Sequence, residues 1–134
     1  AERQAILVGS LTNQGTATTA VLGTVVGLGA FKEMDVLVDV TGTVGATSTM
    51  DIYVDSRLDG TTWVNIAHGA THTTASVQAI HLTKTNPPTS ILVTALAGVG
   101  TVRAIGWGDD IQVRYTIGGA TSQFSFRVWT NVVG

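Results

Sequence analysis

The chain has 134 residues and a formal net charge of −2; 44% of its residues are hydrophobic and only 12% are charged. Globular proteins usually carry about twice that share of charged residues, so much of this surface must consist of Thr, Ser, Gly and Ala. Disordered chains combine low hydrophobicity with high net charge, so this chain is expected to fold. Its length predicts one domain spanning residues 1–134.

The composition also disfavours several classes of partner. The seven Lys and Arg residues form no basic stripe, which argues against nucleic-acid binding. Cysteine is absent, so disulfides and thiolate metal sites are excluded. The apolar run near the start is too short for a signal-peptide core or a membrane span. We therefore expect a non-secreted protein, made in a cell cytoplasm, without a membrane partner.

Runs of β-prone residues alternate with turn compositions along the whole chain, and no segment is a convincing helix. The predicted strands span 4–11, 20–26, 34–41, 49–57, 62–67, 76–83, 90–95, 111–117 and 123–131. Their spacing of roughly 8 to 14 residues is typical of sandwiches. The expected fold is an all-β, antiparallel, jelly-roll-like β-sandwich of eight or nine strands.

Alternation within three strands assigns the core, because successive side chains of a strand point to opposite faces. The residues expected to point inward are Met34, Val36, Val38 and Val40; Ile111, Val113, Tyr115 and Ile117; and Phe124, Phe126 and Val128. The same alternation places Leu37, Tyr53 and Trp129 on outward faces. These three side chains suggest a partly apolar outer sheet that another subunit covers. The alternative for Trp129 is that a loop of the same chain covers it, since one bulge reverses the alternation.

The strands 49–57 and 62–67 are expected to form a hairpin. Asp59 and Gly60 supply the turn between them, and Trp63, directly after the turn, is expected to anchor the hairpin in the core.

Four aspartates could form a cation site. Asp35, Asp39, Asp51 and Asp55 fall on outward faces of two strands that are expected to pair. Clustered carboxylates could bind Ca²⁺, but alternating Asp residues also keep a strand face soluble, and no calcium-loop spacing accompanies them. We expect no metal here.

Other patterns of reactive residues are weak. His68 and His72 are four residues apart, a spacing that places two ligands on one face only in a helix, and His81 stands alone. No serine lies in a nucleophile elbow, and no glycine cluster precedes a helix that could hold a phosphate. The sequence therefore predicts no catalytic residues, no cofactor and a function that depends on surfaces.

Several segments together resemble small structural proteins of tailed-bacteriophage virions. They are LDGTTW at 58–63, IAH at 66–68, DDIQVRYTIGG at 109–119 and FSF at 124–126. The resemblance covers about half of the chain. It implies a capsid decoration (cement) protein on the virion exterior, often a homotrimer, whose partners are the major capsid protein and other copies of itself.

The resemblance and the alternation together suggest which residues contact other subunits. An N-terminal arm, residues 1–4, is expected to reach a neighbour, and outward side chains to supply further contacts. The candidate interface residues are Ala1, Glu2, Arg3, Gln4, Tyr53, Arg127 and Trp129.

The sequence is also compatible with two other functions. A head-tail or tail accessory protein would have a similar sequence. A carbohydrate-binding module would use exposed tryptophans, for which Trp63, Trp107 and Trp129 are candidates.

Overall fold

A computed structural model describes residues 3–84, 96–103 and 105–134. This part of the chain contains nine strands and no helix, as the sequence predicts. The strands are β1 (Arg3–Gln14), β2 (Ala17–Val25), β3 (Glu33–Val44), β4 (Thr49–Arg57), β5 (Trp63–His68), β6 (Ser76–Thr83), β7 (Thr101–Val102), β8 (Ile111–Gly118) and β9 (Gln123–Val133). The predicted strand 90–95 lies outside the described residues, and the short β7 was not predicted.

The strands form two antiparallel sheets. Sheet 1 has the order β1-β9-β3-β6, and sheet 2 has the order β2-β8-β4-β5-β7. The pairings are nested: β1 with β9, β2 with β8, β3 with β6, and β4 with β5. The described strands other than β7 thus form one antiparallel ribbon rolled over on itself, which is the jelly-roll arrangement. The prediction of a jelly-roll-like β-sandwich is confirmed.

The core lies between the two sheets, and all eleven inward residues predicted from alternation belong to it. None of them is more than 5% exposed. Their strands, β3, β8 and β9, each have a hydrogen-bonded neighbour on both sides, so alternation is regular over most of their length and each strand has one apolar face.

The two sheets approach closely along the edge formed by β1 and β2. Two register shifts interrupt each strand, and one of each pair lies at this contact, at Leu7/Gly9 in β1 and at Val21/Gly23 in β2. A Cβ atom on Gly23 would lie 2.3 Å from the backbone oxygen of Val8. Glycine is therefore required at this contact, since any side chain would push the strands apart.

The β4–β5 hairpin has the predicted turn. The Asp59 Oδ1 atom accepts hydrogen bonds from the backbone N–H groups of Thr61 and Thr62, at 2.9 and 2.7 Å, and these bonds lower the pKa of Asp59. Gly60 has a φ of +78°, a conformation that glycine adopts without steric cost.

The prediction that Trp63 anchors the core is wrong. A bulge in the β4–β5 pairing follows Val54, so both Ile66 and Ala67 point inward and are 0% exposed. The extra inward residue reverses the alternation toward the start of β5. Trp63 consequently lies on the outer face, where its ring centroid is 4.5 Å from the guanidinium carbon of Arg57.

The tryptophan of the core is Trp107, which is 5% exposed. Its indole N–H donates a hydrogen bond to the Leu28 backbone oxygen at 3.0 Å, which satisfies the buried polar atom of the ring.

Candidate functional site

The four aspartates do not share a face. Asp35 and Asp39 lie in β3 of sheet 1, whereas Asp51 and Asp55 lie in β4 of sheet 2. The expected pairing of these two strands is wrong because the nested arrangement pairs β3 with β6 and β9 instead. In the described ranges, no three His, Cys, Asp or Glu residues are grouped so that they could hold a metal ion.

Each of these aspartates instead has a basic partner. The closest nitrogen–oxygen distances are 2.8 Å for three of the pairs, and Arg114 also donates to Asp55 at 3.0 Å through Nη2. The pairs are Asp35 with His81, Asp39 with Arg127, Asp51 with His68, and Asp55 with Arg114. Each pair thus joins its strand to a neighbouring strand of the same sheet.

Asp55 is at the centre of a buried polar network on the outer face of sheet 2. It is 2% exposed and accepts hydrogen bonds from Arg114, from Gln112 Nε2 at 3.1 Å and from Asn65 Nδ2 at 3.0 Å. Asn65 Oδ1 in turn accepts the backbone N–H of Ala97 at 2.9 Å. The network therefore ties three strands to segment 96–103.

Tyr53 lies on the outward face of β4, as its alternation predicts, but it is not exposed. Only 6% of Tyr53 is accessible, because its ring centroid is 4.5 Å from that of His68 and Arg114 lies over it at 5.5 Å. His68 is held in turn by the Ala97 backbone oxygen, 2.8 Å from its Nδ1 atom. Tyr53 is therefore covered within its own chain.

His72 has a structural role between β4 and β6. Its Nδ1 atom is 2.8 Å from Ser76 Oγ and its Nε2 atom is 3.1 Å from Gln78 Oε1. Burial lowers the pKa of His72, while the Gln78 hydrogen bond and the Asp51 charge act in the opposite direction. The ring nitrogens of His68 and His72 thus contact different groups, and the two residues do not form the metal-ligand pair that their spacing would give in a helix.

The outer face of sheet 1 carries an exposed apolar row. The strand register places four side chains directly beside one another across all four strands. We call Leu7 of β1, Trp129 of β9, Leu37 of β3 and Ala79 of β6 the apolar row. Leu7 is 47% and Leu37 36% exposed, and Trp129 is partly exposed.

The outward orientation predicted for Trp129 and Leu37 is confirmed. The sequence does not identify Leu7 and Ala79 as members of this row. Alternation shows which face of a strand a residue lies on, but it does not show which strands pair with β9 and β3. Arg127, a second predicted interface residue, is exposed beside the row and paired with Asp39.

The N-terminal candidates are partly described. Ala1 and Glu2 lie outside the described residues. Arg3 and Gln4 belong to β1, where they are paired with Val133 and Val132 of β9.

A shallow depression of about 180 Å³ adjoins the apolar row on the Arg127 side. Its lining is rich in hydroxyl groups. The lining residues are Ser10, Leu11, Thr12, Thr41, Ser125, Phe126 and Arg127.

Comparisons with protein-family models, with curated proteins and with solved structures found no match for this chain. Within the described ranges, no helix is long and apolar enough to cross a membrane.

Proposed function

We propose that this chain is a non-enzymatic virion structural protein that decorates a capsid and stabilises it by bridging neighbouring major capsid subunits. The apolar row is the observation that carries the proposal. The likeness of segments 58–63, 109–119 and 124–126 to tailed-phage structural proteins supports it further, and jelly rolls recur among capsid proteins.

The apolar row has the character of a protein-binding surface. Leu7, Trp129 and Leu37 are contiguous across three strands and partly exposed, and contiguous apolar patches of this kind mark interaction sites. Tryptophan is also enriched among the residues that dominate binding energies. The charged residues beside the row, Asp39 and Arg127, form an ion pair.

The polar residues of the described chain support a structural role in a different way. Asp55 is enclosed by donors from three residues, and the Asp51 carboxylate holds His68. Because these polar groups bond to neighbouring strands, we assign them a structural role and assign the function to the surfaces of the sandwich.

Bridging stabilises a shell through added interface area and through multivalency. Once one copy of an associated group is attached, the remaining copies bind at a high local concentration. Several weak contacts then act as one strong attachment, and the shell needs more free energy to come apart.

The experiment uses capsids that lack this protein. We expect the purified chain to cosediment with them and to raise their disruption temperature. Trp129→Ala removes an apolar contact through which copies associate, so the gain from multivalency is lost and capsid binding should weaken at least about tenfold, which corresponds to about 1.4 kcal/mol.

The matched control is Trp63→Ala, which truncates a partly exposed tryptophan on the opposite sheet and should bind as the unmodified chain does. Absence of capsid binding by the unmodified chain, or equal weakening by the two variants, would overturn the proposal. Immunogold labelling of complete virions separates the capsid surface from the neck and tail, where a head-tail accessory protein would be found.

Carbohydrate binding is the second candidate, and the observation that favours it is the hydroxyl-rich depression, whose lining includes Arg127, two residues before Trp129 in β9. Of the three tryptophans, Trp107 is buried and Trp63 lies under Arg57, so Trp129 is the one that could stack on a sugar ring. Binding on a glycan array that Trp129→Ala abolishes, without binding to capsids, would favour this function instead.

A further inference from the structure

We propose that the outer face of sheet 1 binds the same face of a second copy of this chain, about a two-fold axis that runs parallel to the strands between β9 and β3. This inference rests on the proposed function, in which the apolar row is an assembly surface, and it names the partner of that surface.

The register of sheet 1 arranges its outward side chains in rows across the strands, in the order β1, β9, β3, β6. The middle row is the apolar row. The row on one side is Ser10, Arg127, Asp39 and Val77, and the row on the other side is Ala5, Asn131, Asp35 and His81.

A two-fold axis parallel to the strands, placed between β9 and β3, brings β9 of one copy over β3 of the other. It leaves the position of every row along the strand direction unchanged, so each row lies over the same row of the other copy. Trp129 of each copy then lies over Leu37 of the other. Arg127 of each copy lies over Asp39 of the other, so an apolar contact and a charge pair each occur twice. Reciprocity of this kind defines a closed two-fold interface.

The charge pair can form without breaking the pair within each sheet. Arg127 Nε is 2.8 Å from Asp39 Oδ2, and the Arg127 side chain is still 53% exposed. A guanidinium group has five N–H donors, so it can bind a carboxylate of each copy. The four charges would then alternate in sign across the interface.

A two-fold axis perpendicular to the strands is disfavoured by the same register. An axis perpendicular to the strands through the apolar row would keep each strand over itself and exchange the outer rows. Asp39 of one copy would then face Asp35 of the other, and facing like charges are destabilising. The charges thus select the axis along the strands.

The backbone geometry is compatible with this arrangement. Two sheets that pack face to face keep their strand directions within about 30°, and an axis along the strands allows each sheet to turn through half of that angle. The result is a dimer, and not the homotrimer that the phage resemblance implies.

The test is a charge swap between two variants. Asp39→Arg makes both charged positions cationic, and Arg127→Asp makes both anionic. Sedimentation velocity should give a dimer for the unmodified chain, monomers for each variant alone, and a dimer again for their equimolar mixture. Restoration on mixing cannot come from the charge pair within one sheet, because neither variant has one.

A second measurement does not depend on charge or on the folding of those variants. The chain lacks cysteine, so Leu7→Cys and Ala79→Cys each introduce a single thiol. The proposed axis places Leu7 of one copy over Ala79 of the other. A short bismaleimide crosslinker should therefore join the two variants when they are mixed and should not dimerise either variant alone.

Distinct outcomes separate this inference from the proposed function. An unmodified chain that is monomeric at tens of micromolar, a three-chain mass, or variants that crosslink equally well alone and mixed would each overturn the two-fold pairing. Capsid binding by a monomeric chain would leave the proposed function standing. A dimer that pairs as described but does not bind capsids would support the inference and overturn the function.

Discussion

At the scale of single residues, position on a strand does not decide what a polar side chain does. Asp35 and Asp55 both follow the alternation that places them outward, yet their side chains are 41% and 3% exposed. The difference comes from groups that other strands bring to them: Asp55 lies beneath Arg114, Gln112 and Asn65, whereas Asp35 pairs with one exposed histidine.

This difference predicts unequal costs for removing the two carboxylates. Asp55→Ala leaves the charge of Arg114 without its partner in a site where Arg114 is 20% exposed, and breaking such a pair costs about 3–5 kcal/mol. Asp35→Ala, the control, removes an exposed pair and should cost about 0–1 kcal/mol. Urea unfolding monitored by tryptophan fluorescence measures both, and equal midpoints would contradict the burial argument.

The lowered pKa of His72 predicts that acid destabilises the chain through this residue. An unfolded His72 binds its proton near its ordinary value of 6.5, whereas the folded one binds it only at lower pH. Below about pH 6.5 the unfolded state therefore binds more protons, and the stabilising contribution, complete above that pH, is lost as the pH falls toward the folded pKa.

Free energies of unfolding measured between pH 7.5 and 5 test this prediction. The decline toward low pH should be shallower in His72→Gln than in the unmodified chain. His81→Gln is the control, since His81 is exposed at the surface and 57% of its side chain is accessible. An unchanged pH dependence in His72→Gln would show that another group is responsible.

At the scale of elements, bulges separate what the sequence predicts from what it misses. Alternation correctly assigns the core of β3, β8 and β9, because the extra residues in their pairings lie in the neighbouring strands β1 and β2 or after Val40 of β3. It misplaces Trp63, because the bulge after Val54 reverses the inward and outward positions of β5. A bulge depends on the pairing of two strands, so the sequence of one strand does not reveal it.

The β1/β2 edge gives a prediction at this scale. Gly23→Ala would place a Cβ atom 2.3 Å from the Val8 backbone oxygen, and the strands must move to relieve the overlap. Overpacking of this kind typically costs about 1–3 kcal/mol. Chemical denaturation should register that loss.

Gly42→Ala is the matched control, because Gly42 also lies in a strand and has nothing within 4 Å of its would-be Cβ. It should unfold close to the unmodified chain. If Gly23→Ala were as stable as Gly42→Ala, the close approach of β1 and β2 would not hold in solution.

At the scale of the whole molecule, strand number and class follow from the sequence, whereas strand partners do not. The turn compositions predict eight of the nine described strands, but the expected neighbours β3 and β4 lie in different sheets. A strand's period of two is the same whichever partner it has, so pairing must come from long-range contacts. The apolar row arises at this level, because it exists only once β1, β9, β3 and β6 are side by side.

The nested pairing has a practical consequence at the end of the β1–β9 pair where Arg3 and Val133 lie. Arg3 is the cross-strand partner of Val133, so the two positions are separated by about one inter-strand spacing, some 5 Å. A peptide or reporter joined before Arg3 and another joined after Val133 would leave the sandwich side by side, which suits this scaffold to paired display. The same closeness would let a short linker join these positions, with the chain reopened at the Asp59-Gly60 turn as a circular permutant.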